Sequence, residues 1–281
     1  MGSALAQHLP LCFSQVSCYT KKELDICDPD LSRRVLEKDR PSHVINAAAL
    51  CQMEVCEKEA LRSYEVNAVA PGFWAEICAQ RDISFVHLST DYVFGGARTR
   101  PYSEEDAVEP LSVYAKDKRV GEERVLSFPQ HLVLRLAWVY GWGGKTFMSR
   151  LPELLAKEQS LEVATGRRGS SLYAPHGAKV LAALIHRQAS GLFHVVNRGE
   201  VDWIRFAREC QRQMWEAGLS MNSCHLKEVP LGQFGSLQAR RPDYSVLSTA
   251  KMEGLLNEEM PSWEEALSDY LKLWHSRCME G

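Results

Sequence analysis

The sequence of 281 residues lacks long apolar runs, an excess of one charge and a leader-like start, and each absence excludes a class of protein. No apolar stretch approaches the roughly 18 residues of a membrane-spanning helix. The formal net charge of −3 provides no basic surface for nucleic acid or an anionic membrane. The first residues do not show the basic and then apolar order of a signal peptide. We therefore expect a cytoplasmic protein that binds neither nucleic acid nor membrane.

A metal-binding pattern is also lacking. The nine cysteines and nine histidines are scattered along the chain, and no Cys-x-x-Cys pair occurs. Cys51 and Cys56 have the closest spacing that would suggest a ligand pair, and no histidine neighbours them. This distribution predicts reduced, mostly buried thiols and no metal site.

The sequence does contain an alternation of strand-like and helix-like segments. Strands are predicted at residues 14–19, 43–48, 83–88, 131–136 and 192–196. Helices are predicted at residues 29–37, 58–80, 113–126 and 203–217. This order is typical of βαβ units, so we expect an α/β protein with a Rossmann-type, doubly wound parallel sheet. Residues 1–143 are predicted to form the main domain. Residues 144–281 are predicted to form mainly a smaller lobe, with some segments returning to the sheet.

A hydroxyl, a phenol and an amine follow in the order that a carbonyl-reducing enzyme needs. Tyr114 and Lys118 are four residues apart on a predicted helix, so their side chains share one face. A nearby ammonium favours the ionised phenol and lowers its pKa from about 10 toward working pH. Such a tyrosine can give a proton to a carbonyl oxygen as a hydride reaches the carbon. Thr90 ends a predicted strand, where its hydroxyl could bond to the same oxygen.

The spacing Tyr-x-x-x-Lys alone is weak evidence, because a solvated tyrosine and lysine give the same pattern. Its surroundings make it informative. The segment Asn-Ala-Ala-Ala at residues 46–49 follows a predicted strand, and its small side chains let a cofactor approach the backbone. The segment Ser-Thr-Asp-Tyr-Val-Phe at residues 89–94 ends the next strand. These features together favour a nicotinamide-dependent site.

The motifs resemble those of the extended short-chain dehydrogenase/reductases, and within them the dTDP-4-dehydrorhamnose reductases. The resemblance covers nearly the whole chain and rests on segments that occur in the family's order: residues 24–29, 89–94, 135–141 and 239–242, with Ser245. It implies that NADPH or NADH reduces the C4 keto group of dTDP-4-dehydro-β-L-rhamnose. The product would be dTDP-L-rhamnose, a nucleotide sugar for surface polysaccharide.

The resemblance also assigns residues. It implies that Thr90, Tyr114 and Lys118 are catalytic, and that Tyr114 and Lys118 also contact the cofactor. The other residues that it places at the cofactor are Gly2, Asp25, Ile26, Asn46, Ala47 and Ala48. Asp25 and Ile26 correspond to the adenine end, and the residues from Asn46 to Ala48 to the nicotinamide end.

The substrate side is assigned in the same way. Trp138 is implied as a wall of the sugar pocket, with a core tryptophan as the alternative. Arg240 and Arg241 suit the diphosphate of a dTDP-sugar, with a surface arginine pair as the alternative. Arg167 or Arg168 could contact a phosphate, although a solvated loop explains them equally. Family members form homodimers, some with a divalent ion such as Mg²⁺, and no ligands for that ion can be identified in this sequence.

The sequence lacks the family's opening strand and most of its Gly-x-x-Gly-x-x-Gly turn, which cradles the cofactor pyrophosphate. Gly2 matches the last glycine of that turn, and a helix is expected at residues 3–9. The missing strand is central in the doubly wound order, so its loss should expose edges of the strands near Val16 and Val86 or make them pair directly. A truncated or misassigned start and a rearranged, weakly binding or non-catalytic relative both explain this departure.

Other functions remain open at this stage. Asp91 is followed by Tyr92 rather than by the glutamate that related dehydratases use for water elimination. Epimerases share Tyr-x-x-x-Lys, but the Ala-Arg-Arg-Pro loop at residues 239–242 fits them poorly. A non-catalytic regulatory subunit resembling methionine adenosyltransferase β would suit a broken dinucleotide loop. The intact set Thr90, Tyr114 and Lys118 argues against that role. A degenerate fragment that does not fold stably is the last alternative.

Overall fold

The computed structural model describes residues 1–219, 222–233 and 239–280. The strands among them are β1 His43–Asn46, β2 Ser84–Thr90, β3 Leu132–Leu136, β4 Val139–Tyr140, β5 Ser160–Thr165, β6 Leu172–Tyr173, β7 Gly191–His194 and β8 His225–Pro230. The central sheet has the order β1-β2-β3-β7, and all its pairs are parallel. The sheet confirms the predicted α/β, Rossmann-type class.

The helices alternate with the strands along the chain. They are α1 Gly2–His8, α2 Pro29–Asp39, α3 Met53–Lys58, α4 Ala60–Tyr64, α5 Ala70–Ala79, α6 Val113–Leu126, α7 Phe147–Lys157, α8 Ala174–His186, α9 Trp203–Glu216, α10 Ala250–Leu256 and α11 Trp263–Glu280. A π-helical turn, Glu65–Val69, joins α4 to α5. No helix in the described part of the chain is long and apolar enough to cross a membrane.

Both faces of the sheet are covered by helices. On one face α1 and α8 pack against Val86 and Leu134. On the other face α2, α5 and α6 pack against Phe85 and Val133. Successive residues of a strand point to opposite faces, so adjacent residues of β2 and of β3 enter different cores. This doubly wound arrangement leaves the carboxyl ends of the strands free for a site.

The later part of the chain adds a second core. The strands β5 and β8 pair in parallel, and α7, α9 and α11 contribute to a cluster that includes Trp263 and Tyr270. The strand β7, which follows this lobe's first elements, returns to the central sheet beside β3. The chain therefore leaves the central sheet after β3 and returns to it at β7.

The predicted strand at residues 14–19 is wrong. The structure describes this segment without strand pairing, and Val16 instead packs beside the core that α1 and α8 form. The expectation for the sheet edges is wrong as well, because the strand that contains Val86 lies between β1 and β3. Among the described residues the two outer strands of this sheet are β1, which pairs with β2, and β7, which pairs with β3.

The predicted helices at residues 29–37, 113–126 and 203–217 are confirmed by α2, α6 and α9. The long helix predicted at residues 58–80 is divided into α3, α4, the π-helical turn and α5. The turn presents the carbonyl oxygen of Asn67 to α6, and a side chain at Gly121 would collide with that oxygen. Because Gly121 has no side chain, α6 can pack closely against the π-helical turn.

Candidate active site

The strand β2 and the helix α6 bring the predicted hydroxyl and phenol together. Thr90 is the last residue of β2, and its Oγ1 accepts a hydrogen bond from the backbone N–H of Tyr92 at 3.2 Å. Ser112 caps α6 by accepting the N–H of Ala115 at 3.2 Å, which places Tyr114 in the first turn. The side chains of Thr90 and Tyr114 lie close enough to interact, and Thr90 acts on the pKa of Tyr114. The spacing in the sequence thus corresponds to contact in the structure.

Tyr114 is a protonated phenol in this environment. Its side chain is buried, and burial raises its pKa well above 10, while the interaction with Thr90 acts in the opposite direction. The sequence suggested that Lys118 would lower this pKa toward working pH, and the structure shows a rise instead. A phenol that holds its proton at neutral pH is suited to give it to an oxygen that becomes negative.

Lys118 is buried one turn further along α6, with 1% of its surface exposed. Its Nζ lies 2.9 Å from Nε2 of His87 and donates to the carbonyl oxygen of Leu88 at 2.6 Å. Burial lowers the pKa of Lys118 to about 8, although the nearby Glu122 and Cys51 act to raise it. Lys118 is therefore held by β2, and sequence analysis did not identify His87 as its partner.

Asn46 ends β1, and its amide is directed inward. Its Oδ1 accepts the N–H of Ala48 at 3.0 Å, and its Nδ2 lies 3.3 Å from Nδ1 of His87. Ala47 and Ala48, in contrast, are exposed beside the carboxyl end of β1. Gly2, at the start of α1, lies against Ala47. These small residues leave the carboxyl end of β1 open, as the predicted nicotinamide end of a cofactor site requires.

The two residues predicted at the adenine end lie in the segment before α2. Asp25 is half-buried, and its Oδ1 accepts the N–H of Cys27 at 3.0 Å. The carbonyl oxygen of Ile26 accepts the indole N–H of Trp74 at 3.1 Å, which anchors this segment to α5. The segment is thus tied to the same face of the sheet as α5.

Asp91 is a buried carboxyl group that the sequence did not mark as a site residue. It is 2% exposed, and it accepts hydrogen bonds from Ser245 Oγ at 2.6 Å and from Thr90 Oγ1 at 3.1 Å. Burial raises its pKa to about 7, while those hydrogen bonds act to lower it. Its position directly after Thr90 was the only signal in the sequence. Asp91 connects the end of β2 to the loop that follows residue 239.

The predicted substrate residues are only partly brought together. Trp138 is half-buried with a φ of 34°, and its ring packs over Gly169, where a Cβ would lie 2.7 Å from the indole. Arg241 donates to Glu54 Oε1 at 2.7 Å, so its guanidinium is held against α3. Arg240 is exposed. The two arginines therefore do not form a shared fork.

The arginines of the preceding loop also differ. Arg167 is partly buried, its Nη2 lies 3.4 Å from the carbonyl oxygen of Arg241, and burial lowers its pKa. Arg168 is exposed and forms an ion pair with Glu200 at 3.3 Å. Both residues lie beside the loop that holds Arg241, because the backbone of Arg168 bonds to Asp243 and Ser245. Of the two guanidinium groups, that of Arg167 is the one placed against Arg241.

No group of three or more His, Cys, Asp or Glu residues is arranged to hold a metal ion within the described ranges.

Comparison with known proteins gives one family. The sequence model of a protein family described as "RmlD substrate binding domain" matches residues 1–275 of this chain. The spore coat polysaccharide biosynthesis protein SpsK of Bacillus subtilis is 33% identical over 99% of this chain and 95% of its own. The dTDP-4-dehydrorhamnose reductase of Mycolicibacterium smegmatis is 32% identical over 96% of this chain and 81% of its own. The crystal structure of the Bacillus anthracis dTDP-4-dehydrorhamnose reductase with NADP has a TM-score of 0.88 and 29% identity, covering 96% of this chain and 94% of that one.

Proposed function

Because the chain belongs to the RmlD substrate-binding-domain family, which includes the dTDP-4-dehydrorhamnose reductases, we propose that it is a nicotinamide-dependent reductase of a dTDP-sugar. The proposed reaction converts dTDP-4-dehydro-β-L-rhamnose to dTDP-L-rhamnose by reduction at C4, with NADPH or NADH as reductant. The observation that carries the proposal is the contact between Thr90 and Tyr114 at the carboxyl end of β2, one helical turn from the buried amine of Lys118.

The cofactor would lie across the carboxyl ends of β1 and β2. The residues present fit its nicotinamide end, because Ala47 and Ala48 are small and exposed just after the carboxyl end of β1. When bound, the cofactor supplies the hydride for C4. Residues 1–143 are proposed as the NAD(P)-binding domain and residues 144–281 as mainly the substrate lobe.

The proton comes from the protein in this proposal. Tyr114 holds its proton because burial disfavours the phenolate, and it gives that proton to the C4 oxygen as the charge develops. Thr90 lies beside Tyr114, and its hydroxyl, which donates to Asp91 in the structure, would turn to donate to the same oxygen. Lys118, whose amine is bound to β2 one helical turn after Tyr114, would hold the ribose of the cofactor.

The nucleotide sugar would bind between the sheet domain and the lobe. Trp138 would cover the sugar ring, and Arg240, Arg241 and Arg167 are the candidates for contacts with the diphosphate. Glu54 fixes the guanidinium of Arg241, so Arg241 would act in an oriented form. A cytoplasmic homodimer belongs to the same proposal.

The test is oxidation of NADPH or NADH by the purified protein with enzymatically prepared dTDP-4-dehydro-β-L-rhamnose. We expect dTDP-L-rhamnose to form in proportion to the oxidised cofactor. A folded protein that binds the cofactor and does not turn over this sugar or other dTDP-4-keto-6-deoxyhexoses would favour the regulatory-subunit alternative.

A further inference from the structure

The buried side chains of Asn46, His87 and Lys118 form a row of hydrogen bonds that begins at a backbone N–H. Each contact is within hydrogen-bond distance: Ala48 N to Asn46 Oδ1 at 3.0 Å, Asn46 Nδ2 to His87 Nδ1 at 3.3 Å, and His87 Nε2 to Lys118 Nζ at 2.9 Å. Asn46 is 6% exposed, His87 0% and Lys118 1%. No exposed polar group interrupts the row.

The backbone fixes the direction of this row. The N–H of Ala48 can only donate, so the atom of Asn46 that faces it must be the carbonyl oxygen. The amide NH₂ of Asn46 then faces His87, and it can only donate to Nδ1. A neutral imidazole that accepts at Nδ1 carries its proton on Nε2. The proton on Nε2 points toward the nitrogen of Lys118.

The protonation state of Lys118 follows from this order. An ammonium has three donors and no acceptor, so a charged Lys118 would face the Nε2–H of His87 with a hydrogen of its own. A neutral amine accepts that hydrogen with its lone pair and still donates to the carbonyl oxygen of Leu88. Both contacts are satisfied only in the neutral form, and an unsatisfied buried donor is costly.

We propose that Asn46 and His87 are positioning residues whose hydrogen-bond relay holds the proton of His87 on Nε2 and thereby favours the neutral amine of Lys118. Their role in catalysis rests on the proposed function above, whereas the relay itself is a property of the protein alone. A lysine that is readily deprotonated does not force ionisation of Tyr114, which agrees with the protonated phenol in the structure.

Two other titratable groups act on Lys118. Glu122 on α6 and Cys51 in the segment before α3 both act to raise its pKa, and burial opposes them and prevails. Glu122 is itself neutralised by Arg135 of β3, with its two oxygens 2.7 and 2.8 Å from the guanidinium. Burial, together with the charge of Lys118, keeps the pKa of His87 well below 6.5, so His87 stays neutral.

The first experiment reads the tautomer of His87 by ¹⁵N NMR of the imidazole in the protein without cofactor. It is recorded about one pH unit above the titration midpoint of Lys118. We expect Nδ1 to show the shift of an acceptor nitrogen and Nε2 that of a protonated one. The opposite assignment would overturn the proposal, and the result needs no variant and no turnover.

The second experiment follows the titration of Lys118 by ¹³C NMR of ε-labelled lysine, with the signal assigned through Lys118→Arg. We expect a midpoint at about 8 or lower in the parent protein. In His87→Gln the amide can turn its oxygen toward Lys118 and accept from an ammonium, so the midpoint should rise by about one unit. Equal midpoints in the two proteins, or a midpoint of 10.5 in the parent protein, would contradict the relay.

Two further variants separate the relay from general loss of a buried histidine. His131→Gln removes another buried histidine, which bonds to Phe85 N–H at 3.2 Å, and it should leave the midpoint of Lys118 unchanged. Asn46→Asp replaces the donor facing His87 with an oxygen, so His87 should move its proton to Nδ1. An unchanged tautomer in Asn46→Asp would also contradict the proposal.

Discussion

Tyr114 illustrates how the surroundings of a side chain decide its chemistry. The sequence places a phenol and an amine on one helical face, which suggests a phenol of lowered pKa. In the structure burial outweighs the contact with Thr90 and raises that pKa, while Lys118 is turned toward His87. The proton that a carbonyl reduction requires is therefore stored on Tyr114 at neutral pH.

Removing the hydroxyl of Tyr114 tests this role at the level of one atom. Tyr114→Phe keeps the ring in its buried position, so we expect a protein as stable as the parent within about 1 kcal/mol. We expect kcat to fall about 10²- to 10⁴-fold, because the proton donor is lost. Steady-state kinetics and thermal melting measure the two effects. A variant with kcat within about threefold of the parent would show that another group supplies the proton.

Asp91 gives the protein a specific dependence of stability on pH. Its pKa is raised from 3.8 to about 7 in the folded state, so the folded protein binds more protons than the unfolded chain between these values. The contribution of Asp91 to stability is therefore present below pH 3.8 and is lost as the pH rises through about 7. Asp91→Asn should remove this loss.

Thermal melting across that pH range measures the effect. The difference in melting temperature between Asp91→Asn and the parent should shift in favour of the variant as the pH rises. A difference that stays constant over the range would show that Asp91 is already ionised throughout.

At the scale of elements, α6 was predicted with its observed bounds because its signals are local. Ser112 caps it, and the side chains of Tyr114 and Lys118 share a face at helical spacing. The segment at residues 14–19 also carries a local pattern, that of a strand. A strand, however, forms only where another strand pairs with it. Val16 finds a hydrophobic contact instead, which a sequence pattern cannot reveal.

The same contrast applies to the candidate site. The contact between Thr90 and Tyr114 follows from a strand end and a helix start, and it was predicted. The relay through His87, and the bond between Asp91 and Ser245, join segments far apart in the chain. Such partners depend on the sheet order and on the return of the lobe, so local spacing could not indicate them.

Gly121 tests the close approach between α6 and the π-helical turn. In Gly121→Ala the added methyl group collides with the carbonyl oxygen of Asn67, so we expect a loss of about 1–3 kcal/mol in the free energy of unfolding. Denaturant unfolding measures this loss.

Gly254→Ala is the matched control for Gly121→Ala. Gly254 is an exposed glycine within α10 and has open space at its Cβ. There the added methyl group should stabilise the protein by about 0.4–1 kcal/mol. Equal effects in the two variants would show that the contact with Asn67 is not tight.

At the scale of the molecule, two side-chain hydrogen bonds among the described residues join the first half of the chain to the loop at residues 239–245. Arg241 bonds to Glu54 on α3, and Ser245 bonds to Asp91 at the end of β2. Both lie beside the carboxyl ends of the strands, where the site is proposed. The loop thus packs against the residues around Thr90 and Tyr114.

A double-mutant cycle of Glu54→Gln and Arg241→Gln measures the first of these contacts. The pair is partly buried, with 29% and 9% of the side chains exposed, so we expect a coupling energy of about 1 kcal/mol in urea unfolding. The Michaelis constant for the nucleotide sugar should rise in each single variant. Strict additivity would show that the ion pair contributes nothing to the fold.

The most direct test of the central claim is transfer of deuterium from labelled NADPH to the sugar. The protein is incubated with deuterium-labelled cofactor and dTDP-4-dehydro-β-L-rhamnose, and the product is analysed by mass spectrometry and NMR. The account predicts dTDP-L-rhamnose with deuterium at C4, and no labelled product with Tyr114→Phe on the same time scale. A folded, cofactor-binding protein that leaves the sugar unlabelled, or a Tyr114→Phe variant that labels it at the parent rate, would contradict the account.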